Sequence, residues 1–238
     1  MTRSLISSQG EASGYFVTFI DNHDQHNRIR YIDPSDPNRY DDQVTLALTI
    51  LFTLQGIPCL YYGTEQGLSG HGDRPEYLRE ALWGKENAFD QHHPFYRTIR
   101  QLTQVRSRQP SLRYGRLYFR PVSGDRTNFG FSNYPKSILA YSRVLSDLEV
   151  VIVANNNITD GWSGEVMVDY MLRPGALTFE LLFSNKRASE GIYPRQVIEK
   201  NQGTVQVVKL NGEISNGPVR VIQVELLPGE VQLWGKGL

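Results

Sequence analysis

The chain has 238 residues, enough to bury a substantial core in one or two domains. Lys plus Arg and Asp plus Glu both number 25, so the formal charge is zero and nothing electrostatic points to nucleic acid or an anionic membrane surface. Cys59 is the sole cysteine, which excludes an internal disulfide and a cysteine-based zinc site.

The opening "MTRSLISSQGEASG" lacks an apolar h-region, and no apolar run reaches the length of a membrane span. No signal peptide or membrane segment is expected, and a cytoplasmic location is the default. The stretch from Tyr15 to Ile20 is short, apolar, aromatic and β-branched, and it predicts a buried strand. The loop "QHNRIRYIDPSDPNRYDD" follows, with turns at its Asp-Pro pairs. Asp41 and Asp42 open a helix at its positive dipole end. "QVTLALTILFTLQG" continues that helix, with Ala47, Ile50, Leu51 and Leu54 at helical spacing, to a stop at Gly56 and Pro58. "IPCLYYG" reads as a second short buried strand in which Cys59 is a small core residue. After the loop "TEQGLSGHGDRPEYLREALW", a second helix over "HHPFYRTIRQLTQVRSRQP" places Phe95, Ile99, Leu102 and Val105 on one face. Strand, helix, strand, helix at this spacing implies two parallel strands.

Past Pro110 the apolar runs shorten and alternate with turns: "GRLYFRPVSG", "NFGFSN", "ILAYSRVLSD", "LEVVIVANNN", "SGEVMVDYML", "LTFELLFSN", "GTVQVVKLNG" and "GPVRVIQVELLPGEVQLW". That rhythm predicts an antiparallel β-sandwich. The fold class is therefore α/β plus all-β, with domains at 1–109 and 110–238 and the junction near Arg108 to Ser111. In a parallel α/β sheet the chemistry sits at the carboxyl ends of the strands. "DNHD" ends the first strand and "YYGTE" the second, so both polar clusters fall on one rim.

"FIDNHD" resembles the segment at the end of barrel strand seven in the α-amylase family of glycoside hydrolases. "GIPCLYYGTEQG" resembles that family's strand-eight segment, Gly-x-Pro-x-x-Tyr-x-Gly-x-Glu, and the spacing of one loop and one helix fits. "LRYGRLYF" and "LLPGEVQLW" look like its C-terminal sandwich domain. The resemblance implies the last two β/α units of a (β/α)8 TIM barrel followed by that sandwich. It also implies a retaining mechanism on the α-glucosidic bonds of starch-like or maltooligosaccharide substrates, by hydrolysis or glycosyl transfer. Asp24 would then be the transition-state-stabilising catalytic residue, and His23 and Asn22 would bind substrate.

The family nucleophile stands in a Gly-x-Arg-x-Asp context, and neither it nor the acid/base Glu segment occurs in this sequence. Retaining hydrolysis needs two carboxyl groups flanking the bond. The expectation is a fragment, inactive by itself, with Met1 between strands six and seven and a complementary barrel fragment as partner. A non-catalytic carbohydrate-binding protein is the alternative.

Other roles stay open for the same residues. Asp24 could cap a loop, His23 could be a satisfied imidazole, and Asn22 could make a turn rather than touch sugar. Asp21 is expected to hold the loop, and packing competes with ligand contact at Tyr62 and Glu65. His71, His92 and His93 have no metal-ligand spacing. The acidic loop with Asp33, Asp36, Asp41 and Asp42 is a calcium candidate, but it lacks an alternating ligand pattern and turn and cap duties explain it. No metal or cofactor is expected. Trp83, Trp162 and Trp234 divide between sugar stacking and core.

Overall fold

A computed structural model describes residues 6–7, 10–85, 88–131, 137–171, 178–188 and 193–237. They form two compact units, Met1–Ser107 and Arg108–Leu238. In the first unit, β1 (Ile6–Ser7) and β2 (Gly10–Glu11) form an antiparallel pair, and a 3-10 turn over Ala12–Tyr15 leads to β3 (Val17–Thr18). Helix α1 (Asp41–Thr53) connects β3 to β4 (Ile57–Pro58), which pairs with β3 in parallel.

Two sequence expectations are corrected here. The strand at Tyr15 to Ile20 shortens to Val17–Thr18, and Tyr15, Phe16, Val17 and Phe19 are exposed rather than buried. Ile57 and Cys59 are exposed too, so Cys59 is not a core residue. The physical reason is that β3 and β4 pair only with each other among the described residues, which leaves their outer edges and one face to solvent.

Helix α1 buries Val44, Leu48, Leu51 and Phe52 together with a stripe of Thr45, Thr49 and Thr53. Of the four residues expected to form its apolar face, Leu51 is buried while Ala47, Ile50 and Leu54 are half-buried. The threonines are tolerated inside because their hydroxyls bond back along the helix. Thr49 Oγ1 donates to the Thr45 carbonyl and Thr53 Oγ1 to the Thr49 carbonyl, both at 2.7 Å. Arg106 donates to the Phe52 carbonyl at 2.7 Å and the Gly56 carbonyl at 2.8 Å, placing a cation where the helix dipole is negative. Gly56 has φ +113°, and a Cβ there would stand 2.4 Å from the Phe16 carbonyl oxygen. The chain must pass that close to pair β4 with β3.

Two more helices complete the unit, α2 (Pro75–Leu78) and α3 (Pro94–Arg108). Phe95, Thr98 and Leu102 are buried on α3, with Ile99 and Val105 half-buried beside them. His93 starts α3, its Nδ1 accepting from the Phe95 N–H at 3.2 Å. Burial, then the Arg30 charge, lowers the His93 pKa, which favours the neutral ring that this bond requires.

The second unit opens with α4 (Pro110–Tyr114) and is otherwise β-structure. Its strands are β5 (Arg116–Phe119), β6 (Val122–Ser123), β7 (Asn128–Phe129), β8 (Ile138–Leu145), β9 (Leu148–Asn155), β10 (Trp162–Val168) and β11 (Thr178–Ser184). There follow β12 (Arg195–Gln196), β13 (Ile198–Lys200), β14 (Gln206–Val208), β15 (Ile214–Ser215), β16 (Val219–Leu226) and β17 (Val231–Gly235). A six-stranded sheet, β12-β11-β17-β9-β8-β5, and a four-stranded sheet, β13-β16-β10-β6, are antiparallel throughout. A third small sheet, β15-β14-β7, includes one parallel pair.

The predicted sandwich is present. Ala140, Val151, Val153, Phe179 and Trp234 of the larger sheet form one core with Val166, Ile222 and Val224 of the smaller. The last quoted run splits into β16 and β17 at Pro228 and Gly229, while β12, β13 and β15 had no sequence signal. Ser132, Asn133, Leu172 and Leu177, at the ends of three other quoted runs, lie outside the described residues.

Candidate functional site

Parallel pairing puts the carboxyl ends of β3 and β4 on one side, so the segments Asp21–Asp24 and Tyr61–Glu65 emerge next to each other. The junction between them is made by Asp21, which is 2% exposed. Thr64 Oγ1 donates to both Asp21 carboxylate oxygens at 3.2 Å, and the Ile29 N–H donates to Oδ2 at 3.4 Å. Asp21 thus holds the loop, as expected from its place at the strand end.

Burial is the largest influence on Asp21 and raises its pKa above the ordinary 3.8, against the lowering effects of Ile29, Thr64 and Arg28. The linkage sign follows. With the folded pKa raised, this carboxyl adds stability below the unfolded value near 3.8 that is lost as pH rises through the folded value. Asp21→Asn keeps an acceptor for Thr64 without the charge. It is expected to flatten that acid-side dependence in thermal melts from pH 3 to pH 7. An unchanged profile would show that Asp21 is not the group responsible.

Arg28 forms the floor beneath the rim. Its Nη1 donates to the Tyr62 carbonyl at 2.7 Å and its Nη2 to the Leu78 carbonyl at 2.8 Å. Its guanidinium lies 4.3 Å from the Tyr61 ring centroid and 5.2 Å from that of Tyr62. Glu65 Oε2 accepts from the Gly63 N–H at 2.8 Å, so Glu65 closes the turn after β4, and Tyr62 packs on Arg28.

Above this floor stand the predicted site residues. Asn22 Oδ1 accepts from the Asp24 N–H at 2.7 Å, so in this structure Asn22 makes the turn. His23 Nε2 lies 3.1 Å from Asp24 Oδ2, and the two side chains are 55% and 69% exposed. Arg79 Nη2 approaches Asp24 Oδ1 at 3.5 Å. The Tyr61 ring lies 6.3 Å from that of His23, and its hydroxyl donates to the Leu78 carbonyl at 3.3 Å. The rim therefore presents an ionised-type acceptor, an imidazole, a guanidinium and an aromatic face to solvent, which is a set able to bind vicinal hydroxyls and a sugar ring.

A cavity of about 290 Å³ lies nearby, lined by Asn27, Arg28, Arg30, Tyr31, Ile32 and His71, with Ser69. His23 and Asp24 are not among its lining residues. The remaining candidates have structural duties. Asp33 accepts from the Ser35 N–H and hydroxyl at 2.8 and 2.6 Å, Asp36 accepts from the Asn38 N–H at 3.2 Å, and Asp41 takes the Arg30 fork at 2.8 and 3.0 Å. No group of three metal-ligating side chains occurs among the described residues. Trp234 is core, Trp162 half-buried and Trp83 exposed.

Arg28, Tyr61 and Arg79 were not singled out from the sequence. Arg79 lies 55 residues from Asp24 in a loop whose pattern announces nothing. Only the parallel register of β3 and β4 brings those loops together.

Residues 3–112 match the family model for the α-amylase catalytic domain. The chain is 31% identical over 147 residues to a cyclomaltodextrin glucanotransferase of Geobacillus stearothermophilus, a match covering 62% of this chain and 17% of that protein. It is 29% identical over 165 residues to an α-amylase of Niallia circulans, covering 67% of this chain and 26% of that one. Among solved structures, a three-domain cyclomaltodextrin glucanotransferase, CldA, aligns over 97% of this chain and 38% of its own, with a TM-score of 0.63 at 23% identity. The chain thus spans a minor part of the length of the relatives it matches.

Proposed function

Residues 3–112 of this chain belong to the α-amylase family of glycoside hydrolases, and from that premise we propose that the β3–β4 rim is the sugar-gripping part of an active site for α-glucosidic bonds. Asp24 is the transition-state stabiliser, with His23 and Asn22 on the substrate side. The observation that carries this reading is the exposed Asp24 carboxylate at the end of a parallel strand, held between His23 at 3.1 Å and Arg79 at 3.5 Å.

The chemistry follows from the charge that develops during glycosyl transfer. The anomeric carbon becomes cationic and its ring flattens toward an oxocarbenium-like geometry. A carboxylate fixed against the ring hydroxyls binds the flattened, charged ring more tightly than the resting chair, and so lowers the barrier. His23, on the same turn, donates to a sugar hydroxyl. Asn22 keeps the turn tight through its bond to the Asp24 amide.

Asp24 is one carboxylate, and bond cleavage with retention needs two others flanking the bond. We propose that these come from further barrel segments adding parallel strands beside β3 and β4. The exposed Tyr15, Phe16, Val17, Phe19 and Ile57 support that docking. Hydrolysis and glycosyl transfer share this arrangement.

Titration of the isotope-labelled chain with maltoheptaose tests the assignment. Amide shifts are expected at His23 and Asp24 and around Tyr61, and Asp24→Ala should abolish them. Release of reducing sugar by the purified chain alone would mean that the bond-breaking carboxylates lie within it, contrary to this proposal.

A further inference from the structure

The start of α3 is fastened to the turn that carries the second half of the rim. Gln66 clasps the backbone of Asp90, its Oε1 accepting from the Asp90 N–H at 2.8 Å and its Nε2 donating to the Asp90 carbonyl at 3.3 Å. Arg30, whose fork holds Asp41, also donates from Nη1 to the Gly67 carbonyl at 3.0 Å. A Cβ on Gly67 would stand 2.9 Å from that Nη1 and 3.0 Å from Cε1 and Nε2 of His93. The backbone of Gly67 is thus wedged between a guanidinium and an imidazole. It ends the 3-10 turn Thr64–Gln66, in which Thr64 holds Asp21 and Glu65 closes the chain onto Gly63.

His93 is the cap of α3. Pro94 brings no N–H, and the Phe95 N–H finds its acceptor in His93 Nδ1 at 3.2 Å. An imidazole accepts there only while neutral, with its own proton on Nε2. The acceptor and the site of protonation are one atom, so a proton on Nδ1 ends the cap and sets two N–H groups against each other. The new charge would also face the Arg30 guanidinium across Gly67.

Three carboxylates favour that charge: Asp41, Asp90 and Glu65. Each is already engaged, Asp41 by Arg30, Asp90 Oδ1 by the His92 N–H at 2.8 Å, and Glu65 Oε2 by the Gly63 N–H. Burial first, and then Arg30, outweigh them and hold the His93 pKa below the ordinary 6.5.

We propose that His93 is a pH-sensitive latch of the rim: neutral, it seals the start of α3 against the Thr64–Gln66 turn, and protonated, it frees that turn and weakens the hold of the rim on sugar. The last step rests on the proposed function of the rim; the latch itself does not. Linkage gives the sign. With the folded pKa lowered, the unfolded chain takes up the proton first. Stability from the neutral ring is therefore complete above 6.5 and is lost as pH falls through the folded value. His23, His26, His71 and His92 are exposed, and His93 is the half-buried one of the five.

The test is an NMR titration of the full labelled chain from about pH 7.5 to about pH 5, following the His93 ring nitrogens and the Phe95 and Gly67 amides. The three are expected to move together, with a midpoint below that of a free histidine. His93→Asn supplies a capping oxygen that does not titrate. Over the same range the wild-type melting temperature is expected to fall by about 2–4 °C more than that of His93→Asn. Maltoheptaose affinity is expected to fall about fivefold further in the wild type than in His93→Asn, a difference that separates His93 from His23 on the rim itself.

A His93 ring that titrates at or above the free value, or a Phe95 amide that ignores its titration, would overturn the latch. That reading uses the wild-type chain and holds even where His93→Asn fails to fold. Parallel melting profiles of the two chains would overturn the latch as well. Equal acid loss of sugar affinity in both would overturn its link to the rim. Absence of maltoheptaose binding at about pH 7.5 would overturn the rim assignment instead, while the wild-type titration still decides the latch.

Discussion

Asp24→Asn is expected to lower kcat by about 10²- to 10³-fold in the enzyme completed by nucleophile and acid/base segments, with KM changed less than about threefold. Asparagine keeps the shape of the side chain and one acceptor oxygen, so the resting sugar is held nearly as before. On the proposed role, what disappears is the negative charge, and with it the preference for a ring that has become cationic. The surroundings make charge the relevant variable. Arg79 at 3.5 Å and His23 at 3.1 Å both face the carboxylate, and neither gains from an amide in its place. Steady-state kinetics on a maltooligosaccharide separates the two quantities. A parallel loss in kcat and 1/KM would show that Asp24 only holds substrate, and an unchanged kcat would remove it from the catalytic group.

The second large effect concerns the sandwich. Glu230→Ala is expected to destabilise the protein by about 3–5 kcal/mol, the usual consequence of removing one partner from a buried ionic cluster. Glu230 is fully buried in the turn between β16 and β17. Its Oε1 accepts from Ser184 Oγ at 2.7 Å and Gln232 Nε2 at 2.8 Å. Its Oε2 accepts from the Leu227 N–H at 2.7 Å and from Arg187 at 2.9 Å. Arg187 is 30% exposed in its side chain and can turn to water, so part of its loss is recovered. Gln232 is 1% exposed, and its Nε2 is left with the Glu225 carbonyl at 2.9 Å as its remaining acceptor.

The chain continues outward from Glu230 through Gln232, whose Oε1 accepts from the Trp234 indole at 3.0 Å. Disturbance at Glu230 should therefore reach the largest buried side chain of the core. Urea unfolding followed by Trp fluorescence measures the change. Glu230→Gln, which keeps an acceptor, should cost less than Glu230→Ala. A loss below about 1 kcal/mol for the alanine variant would mean that water replaces the carboxylate.

The elements legible in the sequence are those whose information is local. Asp41, Asp42, Gly56 and Pro58 delimit α1 through dipole and backbone chemistry, and the helix runs over Asp41–Thr53. The short apolar runs "ILAYSRVLSD" and "LEVVIVANNN", separated by turn residues, mark β8 and β9, which pair in register from Ile138↔Asn155 to Leu145↔Leu148. The motif around Asp24 and its position after a strand were equally readable, because order along the chain is enough to place both polar clusters on one rim.

Other features depend on partners distant in sequence. An apolar stretch such as Tyr15 to Ile20 is buried only where something covers it, and its own composition does not supply the cover. The Thr45, Thr49 and Thr53 stripe became interior because each hydroxyl found a carbonyl one turn earlier, a satisfaction that a hydropathy pattern does not register. Arg79 beside Asp24 and Arg120 between Glu149 and Tyr118 are products of strand register. Sequence alone thus determined the helix limits, the strand rhythm and the chemical type of the β3–β4 rim, since those follow from neighbours within a few residues. Tertiary structure decided which apolar faces lie buried and which charges meet, because burial and ion pairing are relations across space that no single stretch of chain contains.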